Sequence, residues 1–192
     1  MKQPLLIDTQ GWLLNARHIH SPFQNQRPTS APINLLVLHN ISLPPGVFGA
    51  THIDALFAGN IAQHQGEDPF IDSIMDLQVS AHFLITRDGA ITQYVSTCDR
   101  AWHAGASEYE GQSGCNDFSI GIELNGCDHH PYTHRQYLSL ALLTQAIMIR
   151  HPQINAERIT THQHIAPQRK TDPGPAFNMR YFKHLIQRLD HL

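Results

Sequence analysis

One C-terminal stretch carries residues of the types and spacing that metal chemistry needs. In Thr161-His162-Gln163-His164-Ile165-Ala166-Pro167-Gln168-Arg169-Lys170-Thr171-Asp172-Pro173-Gly174-Pro175, Asp172 lies ten positions after His162 and two after Lys170. A histidine and a carboxylate are candidate ligands, with a lysine beside them. His39, which ends the apolar run Leu35-Leu36-Val37-Leu38, is a candidate third ligand. Three nitrogen and oxygen ligands leave a fourth zinc position for water, as hydrolysis requires, whereas a structural zinc closes all four. If His39, His162 and Asp172 converge, the chain is a hydrolase. Each also has a plainer reading. His39 fits a satisfied core histidine, Asp172 before Pro173 the start of a turn, and Lys170 a surface cation beside Arg169. His164 competes with His162, since both would project to one side of an extended segment.

The elements that must position these residues are legible in outline. Ser21 to Pro32, rich in Pro, Asn, Gln and Ser, reads as an irregular arm. Residues 33–39 are apolar on both faces, as in a central strand covered on both sides. Leu43-Pro44-Pro45-Gly46 forces a loop, and Thr51-His52-Ile53-Asp54 reads as a capping box opening a helix through Ile61. His64 to Asp72 reads as a second loop. Val79 to Ile85 and Ala90 to Val95 flank Arg87-Asp88-Gly89, an Asp-Gly turn that predicts a hairpin. Ser119 to Asn125 alternates, so that Ile120, Ile122 and Leu124 face helices and Ser119, Gly121, Glu123 and Asn125 the other side. There Glu123 also fits a plain charge on a solvated face. Thr133 with Gln136 predicts a capping box and Tyr132 with Tyr137 a hydrophobic staple. The helix they open runs from His134 to about His151, ended by Pro152. Phe182, Leu185, Ile186 and Leu189 give an amphipathic C-terminal helix. Strands and helices interleave, which predicts a single α/β domain over residues 1–192 with a mixed β-sheet and helices packed against it.

Composition narrows the function classes. A net charge of -3 argues for neither nucleic acid nor an anionic membrane surface. No run approaches a membrane span, and Met1-Lys2-Gln3-Pro4-Leu5-Leu6-Ile7-Asp8 has no apolar stretch of signal-peptide length. Cys98, Cys115 and Cys127 are odd in number, which suits a reducing cytoplasm. The expected partner is a small molecule, with no obligate protein partner evident. Of the 15 histidines, His129-His130 and His151 read as solvated loop residues.

Leu38-His39-Asn40-Ile41-Ser42-Leu43-Pro44-Pro45-Gly46, Ser80-Ala81-His82-Phe83, Trp102-His103-Ala104-Gly105, Asn116-Asp117-Phe118-Ser119-Ile120-Gly121-Ile122-Glu123 and the Lys170–Pro175 segment resemble the zinc N-acetylmuramoyl-L-alanine amidases. More closely, they resemble the branch of that family that acts in the cytoplasm on 1,6-anhydro-muropeptides during cell-wall recycling. The similarity runs from about Gly11 to Ile186, with the motifs in family order. It implies the fold shared with peptidoglycan-recognition proteins and a catalytic core over about 30–186. It implies one Zn²⁺ per chain held by His39, His162 and Asp172, which selects His162 over His164. Glu123 becomes the acid–base residue and Lys170 the oxyanion-stabilising one. Asn40, Trp102 and His103 become candidate substrate contacts, Trp102 by stacking on the anhydro sugar, although Trp102 and His103 also fit a peripheral apolar cluster. The family tends to carry basic residues at the positions of Gln78 and Gly114, where they hold the peptide's carboxylates, and an acidic residue at Asn125. The departure at Gln78 and Gly114 bears on stem-peptide preference and not on the reaction. An amidase acting on intact wall and an inactive muropeptide-binding module are the other readings. Intact candidates for all three ligands, Glu123 and Lys170 argue against the second.

Overall fold

A computed structural model of the chain describes residues 4–189. The outermost residues of the expected 1–192 domain lie outside the described range. Among the described residues there are ten strands: β1 (Arg17–His18), β2 (Gln24–Asn25), β3 (Leu35–Ile41), β4 (Phe83–Ile85), β5 (Ile91–Gln93), β6 (Arg100–Ala101), β7 (Glu108–Tyr109), β8 (Gln112–Ser113), β9 (Ser119–Asn125) and β10 (Ile159–Thr161). Six form one sheet in the order β1-β5-β4-β9-β3-β10, while β2 pairs with β6 and β7 with β8. β3 runs parallel to both β9 and β10, and β4 pairs antiparallel with β5, so the sheet is mixed as expected.

Alternation along β3 and β9 sends their side chains into different buried clusters. Leu36, Leu38, Ile120, Ile122 and Leu124 point toward α3 (His134–Arg150) and α5 (Met179–Leu189), joining Leu140, Ile147, Phe182 and Ile186 in one buried cluster. Leu35 and Val37 point the other way, onto Ala104, Phe118 and Ile165. β3 is therefore covered on both sides, as its unbroken apolar run implies. It spans residues 35–41, a shift of two from the expected 33–39, which brings His39 and Asn40 inside the strand. The α3 capping box is present, with Gln136 N donating to Thr133 Oγ1 and Thr133 N to Gln136 Oε1, 3.1 Å each. Tyr132 and Tyr137 meet edge-on with ring centroids 6.4 Å apart.

Several local expectations are corrected. α1 covers only Thr51–Phe57, with Ala50 at its N-cap and no side-chain cap. Asp54 is engaged elsewhere, accepting from Tyr94 Oη and from Arg17 Nη1. The segment expected as a loop from His64 contains α2 (Pro69–Ser73), capped by Asp68 with Pro69 at its first position, a helix-start signal carried by the sequence itself. The hairpin is real but its strands are shorter, because the peptide at Ser80 turns aside to donate to Trp102 O. The arm is not wholly irregular, since it contains β2 and anchors Arg27. Its guanidinium donates to Asn116 O, Asp117 O and Ser119 O, and burial pulls its pKa down to about 10.

His129 and His130 are exposed, but His151 is not a solvated loop residue. It is buried at the end of α3, with Nε2 2.9 Å from Thr97 Oγ1. Burial lowers its pKa to about 4, and Arg150 and Arg27 push the same way. The native state thus keeps His151 neutral, while the unfolded chain takes up a proton below the ordinary histidine value. The stabilisation is complete above that value and is lost as pH falls from about 6.5 toward 4. His151→Gln should flatten this part of the pH–stability curve by about 1–3 kcal/mol, read from urea unfolding at pH 7 and pH 5. Parallel curves for the two proteins would exclude His151 as a source of acid sensitivity.

Candidate metal centre and active site

The candidate residues gather at the C-terminal edge of the parallel strands, where open α/β sheets place their ligands. His39 and Glu123 are register partners on adjacent strands and share the face away from α3. β10 ends at Thr161 and leads directly into α4 (His162–Ile165), whose first turn is capped by Thr161 Oγ1 accepting from His164 N. This segment was expected to be extended. In the helical turn the two histidines part company: His162 faces the site, while His164 Nδ1 lies 2.9 Å from Thr160 Oγ1. Asp172 arrives on a strap. Its carbonyl accepts from Gln163 N at 3.0 Å, and Tyr132 Oη donates to the next carbonyl, Pro173 O, at 2.8 Å. Gly174 permits the strap's close approach: its φ is +77°, and a Cβ there would lie 2.2 Å from the Asp128 Cα.

Three atoms close a compact triangle. His39 Nδ1 and His162 Nδ1 are 2.9 Å apart, and Asp172 Oδ2 lies 3.1 Å from the first and 3.0 Å from the second. The outward ring nitrogens tell which atoms carry protons. Ser119 Oγ donates to Cys115 O and so accepts from His103 Nε2 at 3.2 Å. His103 Nδ1 is then an acceptor for His39 Nε2, 3.0 Å away. His162 Nε2 donates to Ala104 O at 3.2 Å. Both Nδ1 atoms therefore present lone pairs to a carboxylate oxygen. Burial lowers the pKa of His39 to about 4, so near neutrality no second proton on that ring relieves its crowding against Asp172. Burial works against ionisation of Asp172, but hydrogen bonding to His162 and His39 holds its carboxyl below the usual range. Three converging electron-pair donors fit a cation, and two imidazoles with one carboxylate suit zinc.

Glu123 stands beside the triangle, not within it. It is buried, and its Oε2 has no hydrogen-bond partner among the described residues. Burial raises its pKa well above the carboxylate range, the charge of Asp172 adds to this, and Lys170 opposes it. An orphaned, readily protonated carboxyl at a cleft is an expected signature of proton transfer. The cleft encloses about 430 Å³, and Glu123, Lys170, Asp172, Trp102 and Asn40 all line it. Its apolar wall comes from Leu56 and Phe57 of α1 and from Phe70 and Ile74, in and just after α2.

The candidate substrate contacts differ in how free they are. Trp102 sits on the rim, with Nε1 donating to Asn25 Oδ1 at 2.7 Å across the β2–β6 ribbon, which leaves the ring pinned. Asn40 Nδ2 already donates to Asp128 Oδ1 at 2.8 Å. His103 is buried with both ring nitrogens occupied by His39 and Ser119, so it positions His39 and offers substrate no free polar atom. Gln78 also lines the cleft.

A supporting layer escaped the sequence reading. Asn116 Oδ1 accepts from His103 N and Ala104 N, at 3.0 and 2.7 Å, and fixes the loop that carries the histidine. Gly121 leaves room for the ring, since a Cβ would come within 2.5 Å of His103 Cγ. Gly121 N donates to His82 Nδ1 at 3.0 Å. A glycine in an alternating strand signals a close approach, and this was the one cue available.

Comparison with known proteins agrees with the geometry. Residues 29–175 match the model of the N-acetylmuramoyl-L-alanine amidase family. The chain is 51% identical over 187 residues to the 1,6-anhydro-N-acetylmuramyl-L-alanine amidase AmpD of Citrobacter freundii, covering 97% of this chain and 98% of that one. A crystal structure of a selenomethionine AmpD derivative superposes with a TM-score of 0.89 at 52% identity, covering 94% of this chain and 99% of that one. The Escherichia coli amidase AmiD, solved in complex with the substrate anhydro-N-acetylmuramic acid-L-Ala-D-gamma-Glu-L-Lys, superposes at 0.58 with 27% identity, covering 96% and 66% respectively. The chain belongs to the N-acetylmuramoyl-L-alanine amidase family.

Proposed function

We propose that this amidase uses one zinc ion, held by His39, His162 and Asp172, to cut the amide between the lactyl group of 1,6-anhydro-N-acetylmuramic acid and L-alanine in muropeptides. The observation that carries the reading is the convergence of three ligand-type atoms, 2.9 to 3.1 Å apart, beside the orphaned carboxyl of Glu123. Zinc bound there supplies Lewis acidity, polarising a carbonyl and bringing the pKa of water toward neutrality. Glu123 takes the proton from the attacking water, and its raised pKa lets it keep that proton until the leaving amine needs it. Lys170, on the cleft wall, offers its ammonium to the oxyanion of the tetrahedral intermediate. His103 and Ser119 hold His39 in the tautomer that directs Nδ1 inward.

Substrate class rests on the rim and on the relatives. The pinned ring of Trp102 suits the apolar face of a compact bicyclic sugar, and the relatives include enzymes named for the 1,6-anhydro form. Such fragments fit a cytoplasmic recycling role, in keeping with three free thiols. No helix among the described residues is long and apolar enough to cross a membrane.

An aromatic contact of this kind contributes about 0.5–1.5 kcal/mol beyond area, roughly up to tenfold in rate. The 1,6-anhydro form should therefore be cut faster than the reducing sugar carrying the same peptide, and Trp102→Ala should narrow the gap. A two-substrate competition followed by mass spectrometry measures this. Equal rates in wild type, or efficient digestion of insoluble sacculi, would move the assignment to a wall-lytic amidase.

A further inference from the structure

A second group of ligand-type side chains shares no residue with the triangle or with the lining of the cleft. His52 sits in the first turn of α1, His64 closes the short 3-10 helix Ile61–His64, and Glu67 follows the left-handed Gly66 at φ +82°. His52 Nε2 lies 2.9 Å from Glu67 Oε2, and His64 Nδ1 lies 2.9 Å from Glu67 Oε1. One ligand atom from each of the three falls within 4.8 Å of the others. The His52 tautomer is fixed from behind, because Nδ1 lies 3.1 Å from Leu43 O and a carbonyl can only accept. The nitrogen that faces Glu67 must then present its lone pair, unless a second proton sits on it.

A lone pair aimed at a carboxylate needs a cation between them. A neutral His64 supplies a proton on its side through Nδ1, but on the His52 side only a second ring proton or a metal ion can bridge Nε2 to the carboxylate. One divalent ion satisfies all three groups together. A histidine whose other ring nitrogen is committed to a backbone carbonyl is the usual outer-shell arrangement of a metal ligand. Two imidazoles and one carboxylate select the zinc class over calcium or magnesium. The side chains are one-fifth exposed for both histidines and 52% exposed for Glu67, so an ion has access and the carboxylate has freedom to adjust.

We propose that His52, His64 and Glu67 form a second divalent-metal site, of the zinc class, that clasps α1 to the segment leading into α2. Leu56 and Phe57 of α1, with Phe70 and Ile74 across from them, form the apolar wall of the cleft. An ion here ties the two halves of that wall together. Gly66 N, donating to Asp72 Oδ1 at 2.8 Å, carries the same constraint into α2. The site uses none of the residues of the candidate catalytic centre and stands whether or not that centre holds zinc.

The test is metal stoichiometry. Wild type, stripped with a chelator and reloaded with Zn²⁺ in the presence of a weak competing chelator, should hold two equivalents by elemental analysis. His64→Gln/Glu67→Gln should hold one and still hydrolyse the amide. Asp172→Ala should also hold one, through the distal cluster. In wild type the second equivalent should slow backbone hydrogen exchange across residues 61–73, and in His64→Gln/Glu67→Gln zinc should leave that exchange unchanged. A single equivalent in wild type that is retained in His64→Gln/Glu67→Gln would reduce the cluster to a carboxylate shared by two imidazoles and overturn the proposal. A second equivalent persisting in that double variant would place the ion elsewhere and overturn it too. If Asp172→Ala fails to fold, the wild-type and double-variant pair decides alone.

Discussion

Asp172→Ala and His39→Ala are each expected to lose the catalytic metal and bring amide hydrolysis to background while the chain stays folded. Either change removes one of only three donors, and two donors with open water positions hold zinc far more weakly. Asp172→Asn is the more discriminating substitution. It preserves volume and hydrogen-bonding capacity but deletes the one formal negative charge of the set, so zinc should be lost or much weakened with little change in packing. Folding should survive because the buried clusters form without the centre: Leu36, Leu38, Ile122, Leu140 and Phe182 close one face and Leu35, Val37 and Phe118 the other. Removing the metal also leaves two lone pairs crowded against a carboxylate, so chelation should lower the thermal midpoint of wild type and have a smaller effect on Asp172→Asn. Elemental analysis, circular dichroism and turnover of an anhydro-muropeptide together read all of this. Full activity in exhaustively chelated, metal-free protein would refute the metalloenzyme reading.

What could be read from the chain divides along a physical line. Periodicity and turn chemistry reported β3, β9, α3 and α5, because burial on one face or two leaves a mark on residue type at fixed intervals. The same alternation placed Glu123 on the face away from the helices, where it pairs in register with His39. Convergence was harder. His39 and Asp172 are 133 positions apart, and nothing local says that β3 and the strap meet; the family resemblance supplied that expectation. The failures were of two kinds. Some came from competition for a side chain: Thr51 and Asp54 have capping-box spacing, but Tyr94 and Arg17 claim the carboxylate, so the helix starts without it. Others came from burial that composition does not announce. His151 beside a proline reads as a solvated loop residue and the stretch that carries Arg27 as an irregular arm, yet each side chain is tied down by a partner 50 or more positions away. His103 shows the limit of a motif, which named the residue but not its partners: its two ring nitrogens are engaged by His39 and Ser119.

Glu123→Gln should separate catalysis from metal binding and from stability at once. Glutamine has the shape of the glutamate but cannot accept the proton of the attacking water or return it to the amine. The expected loss is roughly 10²–10⁴-fold in kcat, the range for a removed general acid–base group. Zinc should be retained, since Glu123 is not one of the three converging donors. Stability should hold or rise, because the native side chain is buried with an unpartnered Oε2, and a neutral amide removes the cost of burying charge. A residue kept for packing would behave in the opposite way, with stability falling and activity following it. Lys170→Ala makes the complementary case. Its ammonium lines the cleft outside the triangle, so the metal should remain and the rate fall on the order of 10²-fold or more through lost oxyanion stabilisation. Lys170→Arg should recover part of that loss if charge is what matters. The readouts are kcat with soluble muropeptide, bound zinc and the thermal midpoint for each variant. Zinc and activity lost in proportion in Glu123→Gln would mean that this carboxylate is a ligand, and the proton would then have to travel by another group.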